Sequence, residues 1–268
     1  MRLRAIVRTV ARTLWKPLPL FSCSGVPVQF HLATLVFPFA LLLCAGWDDD
    51  GISGLGMAAC LFAIVFCSLL IHEFAHVFAA RFFGCATRRV VMLPIGCVAE
   101  MRSIQPGASE IVIALAGPVA SGVLALLACA ASHAHWMHLP AGIRDLTEAA
   151  WLFNATIAWF NLLPCFPMDG GRILRSLLAI ILRRKAPRCA ADPFLAATRI
   201  VVRRVTPPLV ITILFATVLH THLWSHLLLF PIVLFLGEVE YRSIKKSFGN
   251  DPYFSARQRR AELVGEFA

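Results

Sequence analysis

Charge is what this sequence has least of. Only 15% of its 268 residues are Asp, Glu, Lys or Arg, against roughly 25% in soluble domains. No stretch is both long and polar enough to form a separate soluble domain. No zinc-finger, RNA-binding or helix-turn-helix pattern accompanies the net charge of +10, so the basic residues do not point to nucleic acid. No two of the nine cysteines form a C-x-x-C pair. Most lie in apolar runs and read as small core residues rather than a disulfide framework. Repeats and low-complexity tracts are lacking too.

What is present is apolar: 59% of the chain. A membrane-spanning helix needs about 20 mainly apolar residues, and the runs divide into about six. They are about His31–Trp47, Leu55–Phe83, Ile111–Ala131, Ala149–Leu182, Phe194–Leu219 and His222–Glu238. The fourth is broken by Pro164, Pro167, Gly170 and Gly171, and Pro207-Pro208 and Pro231 disturb the last two. The expected fold is an all-α polytopic membrane protein. Residues 1–30 form a cytosolic or interfacial segment, 31–240 one transmembrane domain and 241–268 a charged cytosolic tail.

With the N-terminus in the cytosol, every basic cluster falls inside. These are Arg2 to Lys16, Arg88-Arg89, Arg183 to Arg188, and Arg242 to Lys246. Six spans with both termini cytosolic obey the positive-inside rule. Arg4, Arg8, Arg12 and Lys16 share one face of an amphipathic surface helix over Met1–Pro17. Between the second and third spans, Arg88 to Glu100 is rich in β-formers and predicts a short strand or hairpin at the interface.

The second span contains His72-Glu73-Phe74-Ala75-His76. Histidines four apart share a helix face and can bind one metal ion, with Glu73 beside them to work on water. Ionisable groups at bilayer depth cost about 2.5–3.5 kcal/mol each, so three together need a mutual purpose. Catalytic zinc usually takes three protein ligands. Asp169 is the candidate for the third, at a depth in its span similar to that of His72. The broken helix around it is tolerated where backbone lines a buried or wet cavity.

Together, the His72–His76 helix and the segment Asn161 to Arg172 resemble the site-2 protease family of intramembrane zinc metalloproteases. The resemblance covers nearly the whole chain. It implies one zinc on His72, His76 and Asp169, with Glu73 activating water. It implies that Asn161 contacts substrate near the scissile bond or its oxyanion. Gly117, Pro118, Pro164, Pro167 and Gly170 would be supporting positions. The implied partners are the lipid bilayer and membrane-spanning protein substrates, in the plasma membrane of a prokaryotic cell, with the active site toward the cytosol. Two departures stand out. The third-span pattern Ala116-Gly117-Pro118 is followed at the family's asparagine position by Ser121, and Gly96-Cys97 replaces a common Gly-Gly pair. There is no room for the PDZ or CBS domains of some relatives.

Two other readings compete: a metal-binding membrane transporter or channel, and an inactive homologue that only binds membrane partners. Glu73 between the histidines argues against the first, and the complete residue set against the second. The clusters His133/His135/His138 and His220/His222/His226 read as interfacial polar residues, and His31 as an anchor opening the first span. Arg172 is expected to snorkel or to pair with backbone carbonyls.

Overall fold

The structure is a computed structural model. It describes residues 17–35, 51–93, 96–101, 107–133, 140–185, 193–221 and 229–249. The expected surface helix at the N-terminus, most of the first apolar run, the start of the sixth and the end of the tail lie outside these residues. The chain divides into two compact units, residues 1–104 with 116–159, and residues 105–115 with 160–268.

In the first unit, strands β1 (Pro17–Cys23) and β2 (Val26–His31) form an antiparallel hairpin. Its two-residue turn puts both Ser24 (φ 51°) and Gly25 (φ 78°) in the left-handed region. Positive φ at both central positions matches the right-handed twist of the flanking strands. Helix α1 spans Gly51–Phe82. It stops where Gly84 takes φ 74° and Cys85 N donates to Ala80 O at 2.8 Å, a left-handed glycine cap. Strands β3 (Thr87–Leu93) and β4 (Gly96–Met101) form the hairpin expected after the second span.

The sheet order is β1-β2-β3-β4, with β2 and β3 parallel. The sheet is therefore larger than the sequence suggested, and residues before 31 supply half of it. His31 is the last residue of β2. Val28 and Val90 are fully buried against Phe74 and Val77 of α1, so the sheet is seated on the helix that carries the histidines.

Helix α2 is Ala108–Ser132 and helix α3 is Ala141–Asn161. Among the described residues, two helical stretches, Gly56–Phe82 and Ala108–Ser132, are long and apolar enough to cross a membrane. Their polarity is inverted relative to a soluble helix. On α1, Ser68, His72 and His76 are buried while Ile71, Phe78 and Phe82 are exposed, the pattern of a helix whose outer face meets hydrocarbon. His133 Nδ1 lies 3.0 Å from Cys129 O in the last turn of α2. No disulfide joins the cysteines among the described residues.

The second unit holds α4 (Asp169–Lys185), α5 (Pro193–Ile200), a π-helical turn (Val201–Val205), α6 (Thr206–Thr221) and α7 (Leu229–Gly249). Pro207 and Pro208 have no N–H to give the preceding turn. The helix widens just before them, and Thr206 N donates to Val201 O, five residues back. The fifth apolar run is thus one helical stretch with a π turn inside it. Phe166, Val201, Val202 and Tyr241 form the core of this unit.

Candidate metal centre

Helix periodicity places His72 and His76 one turn apart on the buried stripe of α1. Their Nε2 atoms lie 3.2 Å apart, and the rings meet edge to face with centroids 4.9 Å apart. Two imidazole nitrogens converging on one point is how a metal-binding pair is arranged. Both rings are buried, with relative exposures of 4% and 2%. His72 Nδ1 is 2.9 Å from Ser121 Oγ, which is fully buried on α2. One turn along α1, Asn154 of α3 donates its amide to Ser68 Oγ at 2.9 Å. The sequence reading missed Asn154. A buried amide in an otherwise apolar helix was its signal.

At Gly117 the backbone of α2 runs close against the rings. A Cβ there would collide with His76 Nε2 and lie 2.6 Å from His72 Nε2. Only glycine allows the approach. Gly117→Ala should displace the imidazoles, because they are the movable party. Overpacking of this kind costs about 1–3 kcal/mol. Metal content per folded chain is expected to drop more than the melting temperature does, and elemental analysis beside a thermal melt reads both.

Glu73 is half-buried, and its carboxylate accepts the Ala99 N–H of β4 at 3.2 Å. β4 ends the sheet order, so an edge strand holds the glutamate. On the same hairpin, Arg89 pairs with Glu100 at 2.6 Å and also donates to Gln29 Oε1 of β2 at 3.1 Å. The hydrogen bond from Arg89 holds the Glu100 carboxyl below its ordinary range, and Glu100 in turn raises the Arg89 guanidinium.

In the second unit, Asp169 is the first residue of α4 and is buried. A carboxylate is favoured there by the helix dipole. Arg172 Nη1 sits 4.0 Å from Asp169 Oδ1, so this arginine places its charge beside the aspartate. Asn161 ends α3, and the loop from it to α4 includes a cis Phe166–Pro167 bond. Pro164 and Pro167 lie within this loop, which folds back onto the first turn of α4. A Cβ on Gly170 would strike Leu162 O and Leu163 O, and one on Gly171 would lie 2.6 Å from Cys165 O. The glycines are there because backbone packs on backbone. Cys165 is buried and packs within the loop.

The unit is anchored by a second feature that sequence reading missed. Glu110 accepts from both Arg175 and Ser176, and all three are buried. The Arg175 guanidinium also stacks on Phe166 at 5.0 Å and Phe194 at 4.5 Å. Phe166 N donates to Thr206 Oγ1 at 3.3 Å, beside the π turn.

The sequence profile of peptidase family M50 matches residues 60–151 and 134–202. The chain belongs to that family. Among its curated relatives are proteins named as zinc metalloproteases. The chain is 32% identical over 163 residues to a zinc metalloprotease of Methanocaldococcus jannaschii, covering 60% of this chain and 45% of the relative. It is also 32% identical over 117 residues to stage IV sporulation protein FB of Bacillus subtilis, covering 43% of this chain and 38% of that one. The chain thus spans less than half the length of these curated relatives. Among solved structures it resembles the site-2 protease from Methanocaldococcus jannaschii, with a TM-score of 0.57 and 27% identity over 84% of this chain and 95% of that one. His72, His76 and Asp169, all buried, make a group that could hold one metal ion. Two neutral imidazoles and a carboxylate are a donor set suited to catalytic zinc.

Proposed function

We propose that this protein is a zinc endopeptidase that hydrolyses peptide bonds within or next to the transmembrane segments of other proteins. The observation that carries the reading is the converging Nε2 pair of His72 and His76, buried on a helix apolar and long enough to span a bilayer. The reading takes His72, His76 and Asp169 as the zinc ligands and Glu73 as the general base. It takes residues 31–240 as the catalytic membrane region, between a cytosolic or interfacial segment 1–30 and a cytosolic tail 241–268, in a prokaryotic plasma membrane with the site toward the cytosol.

Zinc, when bound there, would supply Lewis-acid activation of water and of the scissile carbonyl. Glu73 removes a proton from the attacking water as its oxygen adds to the carbonyl carbon. Glu73 then passes that proton to the amide nitrogen as the C–N bond breaks. The Ala99 N–H orients the carboxylate for both transfers. Asn161 donates its side-chain amide to the developing oxyanion. Helical carbonyls are engaged in i to i+4 bonds, so the substrate must unwind first. The edge strand β4 offers main-chain partners to the extended segment. Gly117, Pro118, Pro164, Pro167 and Gly170 shape the backbone around these groups.

The test is reconstitution of the full chain in liposomes with a tagged spanning peptide. Cleavage is expected to stop with a zinc chelator and to return on adding back about one equivalent of zinc. Zinc uptake into the vesicles without any cut peptide would overturn the reading in favour of a transporter.

A further inference from the structure

We propose that Ser121 is a positioning residue for the metal centre. Its hydroxyl fixes the tautomer and rotation of His72, so that Nε2 is presented as a lone-pair donor. The inference rests on the assignment of His72 as a ligand and adds how this chain prepares that ligand.

The contact is direct. His72 Nδ1 and Ser121 Oγ are 2.9 Å apart, and Ser121 has no exposed surface. A neutral imidazole carries one N–H, and its position is set by the partner of the other nitrogen. With Nδ1–H donating to Ser121 Oγ, Nε2 carries the lone pair. Nε2 is also the atom that faces His76 Nε2 at 3.2 Å. If the proton sat on Nε2 instead, a hydrogen would lie in the space between the two rings where an ion would be held.

The placement on α2 gives the same answer. Gly117 and Ser121 are one turn apart. Gly117 passes beneath the imidazoles, where a Cβ would collide with His76. That close approach brings the short Ser121 side chain within reach of Nδ1. A longer side chain is not required at this separation, which gives a physical reason why serine serves at the position. The two residues act together, glycine setting the distance and serine setting the ring.

Partners of this kind typically contribute 10–100-fold in metal affinity. The experiment measures zinc affinity, not cleavage. Purified full-length protein in detergent is titrated against a competing chelator at fixed pH, for the wild type, Ser121→Ala, Ser121→Cys and Ser121→Thr. Thermal melts of the zinc-free proteins accompany each titration. Ser121→Ala is expected to weaken zinc binding about 10–100-fold while the zinc-free melt stays close to wild type. Ser121→Thr keeps the hydroxyl and should restore most of the affinity. Ser121→Cys keeps the volume but offers a poor acceptor, and should resemble alanine.

Wild-type affinity in both Ser121→Ala and Ser121→Cys would overturn the inference. So would a loss in Ser121→Thr equal to that in Ser121→Ala with all melts unchanged. If the wild type itself bound no zinc, the assignment of the metal site would fall instead, so the two failures are distinguishable.

Discussion

Glu73→Gln is expected to stop proteolysis while leaving the metal centre intact. Glutamine has nearly the shape of glutamate, and its carbonyl oxygen can still accept the Ala99 N–H that now reaches Glu73 at 3.2 Å. His72, His76 and their contacts with Ser121 and Gly117 are untouched. What is removed is a group able to take and return a proton. General acid–base catalysis by one side chain contributes about 10²–10⁴-fold, so kcat should fall by that factor. KM should change little, since the loss falls on the transition state. Single-turnover cleavage of the spanning peptide, with zinc content measured on the same samples, checks both halves. Full cleavage by the variant would remove Glu73 from the mechanism. In cells, membranes carrying Glu73→Gln should accumulate an uncut spanning fragment, which would also reveal the substrate.

The largest stability effect is expected at Glu110 and Arg175. Their side chains have relative exposures of 2% and 3%. Removing one partner of a buried ion pair strands the other charge and costs about 3–5 kcal/mol. Glu110→Leu or Arg175→Met alone should therefore unfold the second unit far more readily than wild type. Arg175→Met also gives up the stacking on Phe166 and Phe194, so it should be the worse of the two. The double variant strands no buried charge, leaving only the partly exposed Glu240 without its 3.7 Å contact and Ser176 without its acceptor, and should recover much of the loss. A double-mutant cycle on detergent-solubilised protein, read by thermal unfolding, gives the coupling. Additive single effects would mean the two charges do not depend on one another.

These expectations differ in how far the sequence alone could reach them. α1 and α2 were legible because a run of apolar residues has few other uses at that length. The hairpin of β3 and β4 was legible because its strands adjoin and carry β-branched residues. The β1–β2 hairpin was not. Its residues look like a lead-in to a span, and their partner β3 lies beyond α1. Parallel pairing of Val28 with Val90 leaves no local trace.

The pairing of His72 with His76 was readable from their spacing, which sets both rings on one helix face where their Nε2 atoms meet. Glu73 and Asp169 were nominated by position, beside that pair and among helix breakers. Glu110, Arg175 and Ser176 were each visible as polar residues at or inside an apolar stretch, but nothing local says which partners they take. Glu110 and Arg175 are 65 positions apart. The same holds for Asn154 and Ser68. Arg172 looked like a residue reaching for the interface because a charge at a helix start gives no hint of the aspartate beside it.

The inward polar stripe of α1 bears on how the protein is made. His72 finds its partner Ser121 on α2 and Ser68 its partner Asn154 on α3, both synthesised after α1. As α1 leaves the insertion machinery, its apolar flank can enter lipid at once, but its polar stripe has nothing to meet. Biogenesis should therefore pass through a stage in which α1 waits beside the translocon, or under a membrane chaperone, until Ser121 and Asn154 arrive. Truncating the nascent chain before α2 should leave a helix that is slow to partition and quick to be degraded.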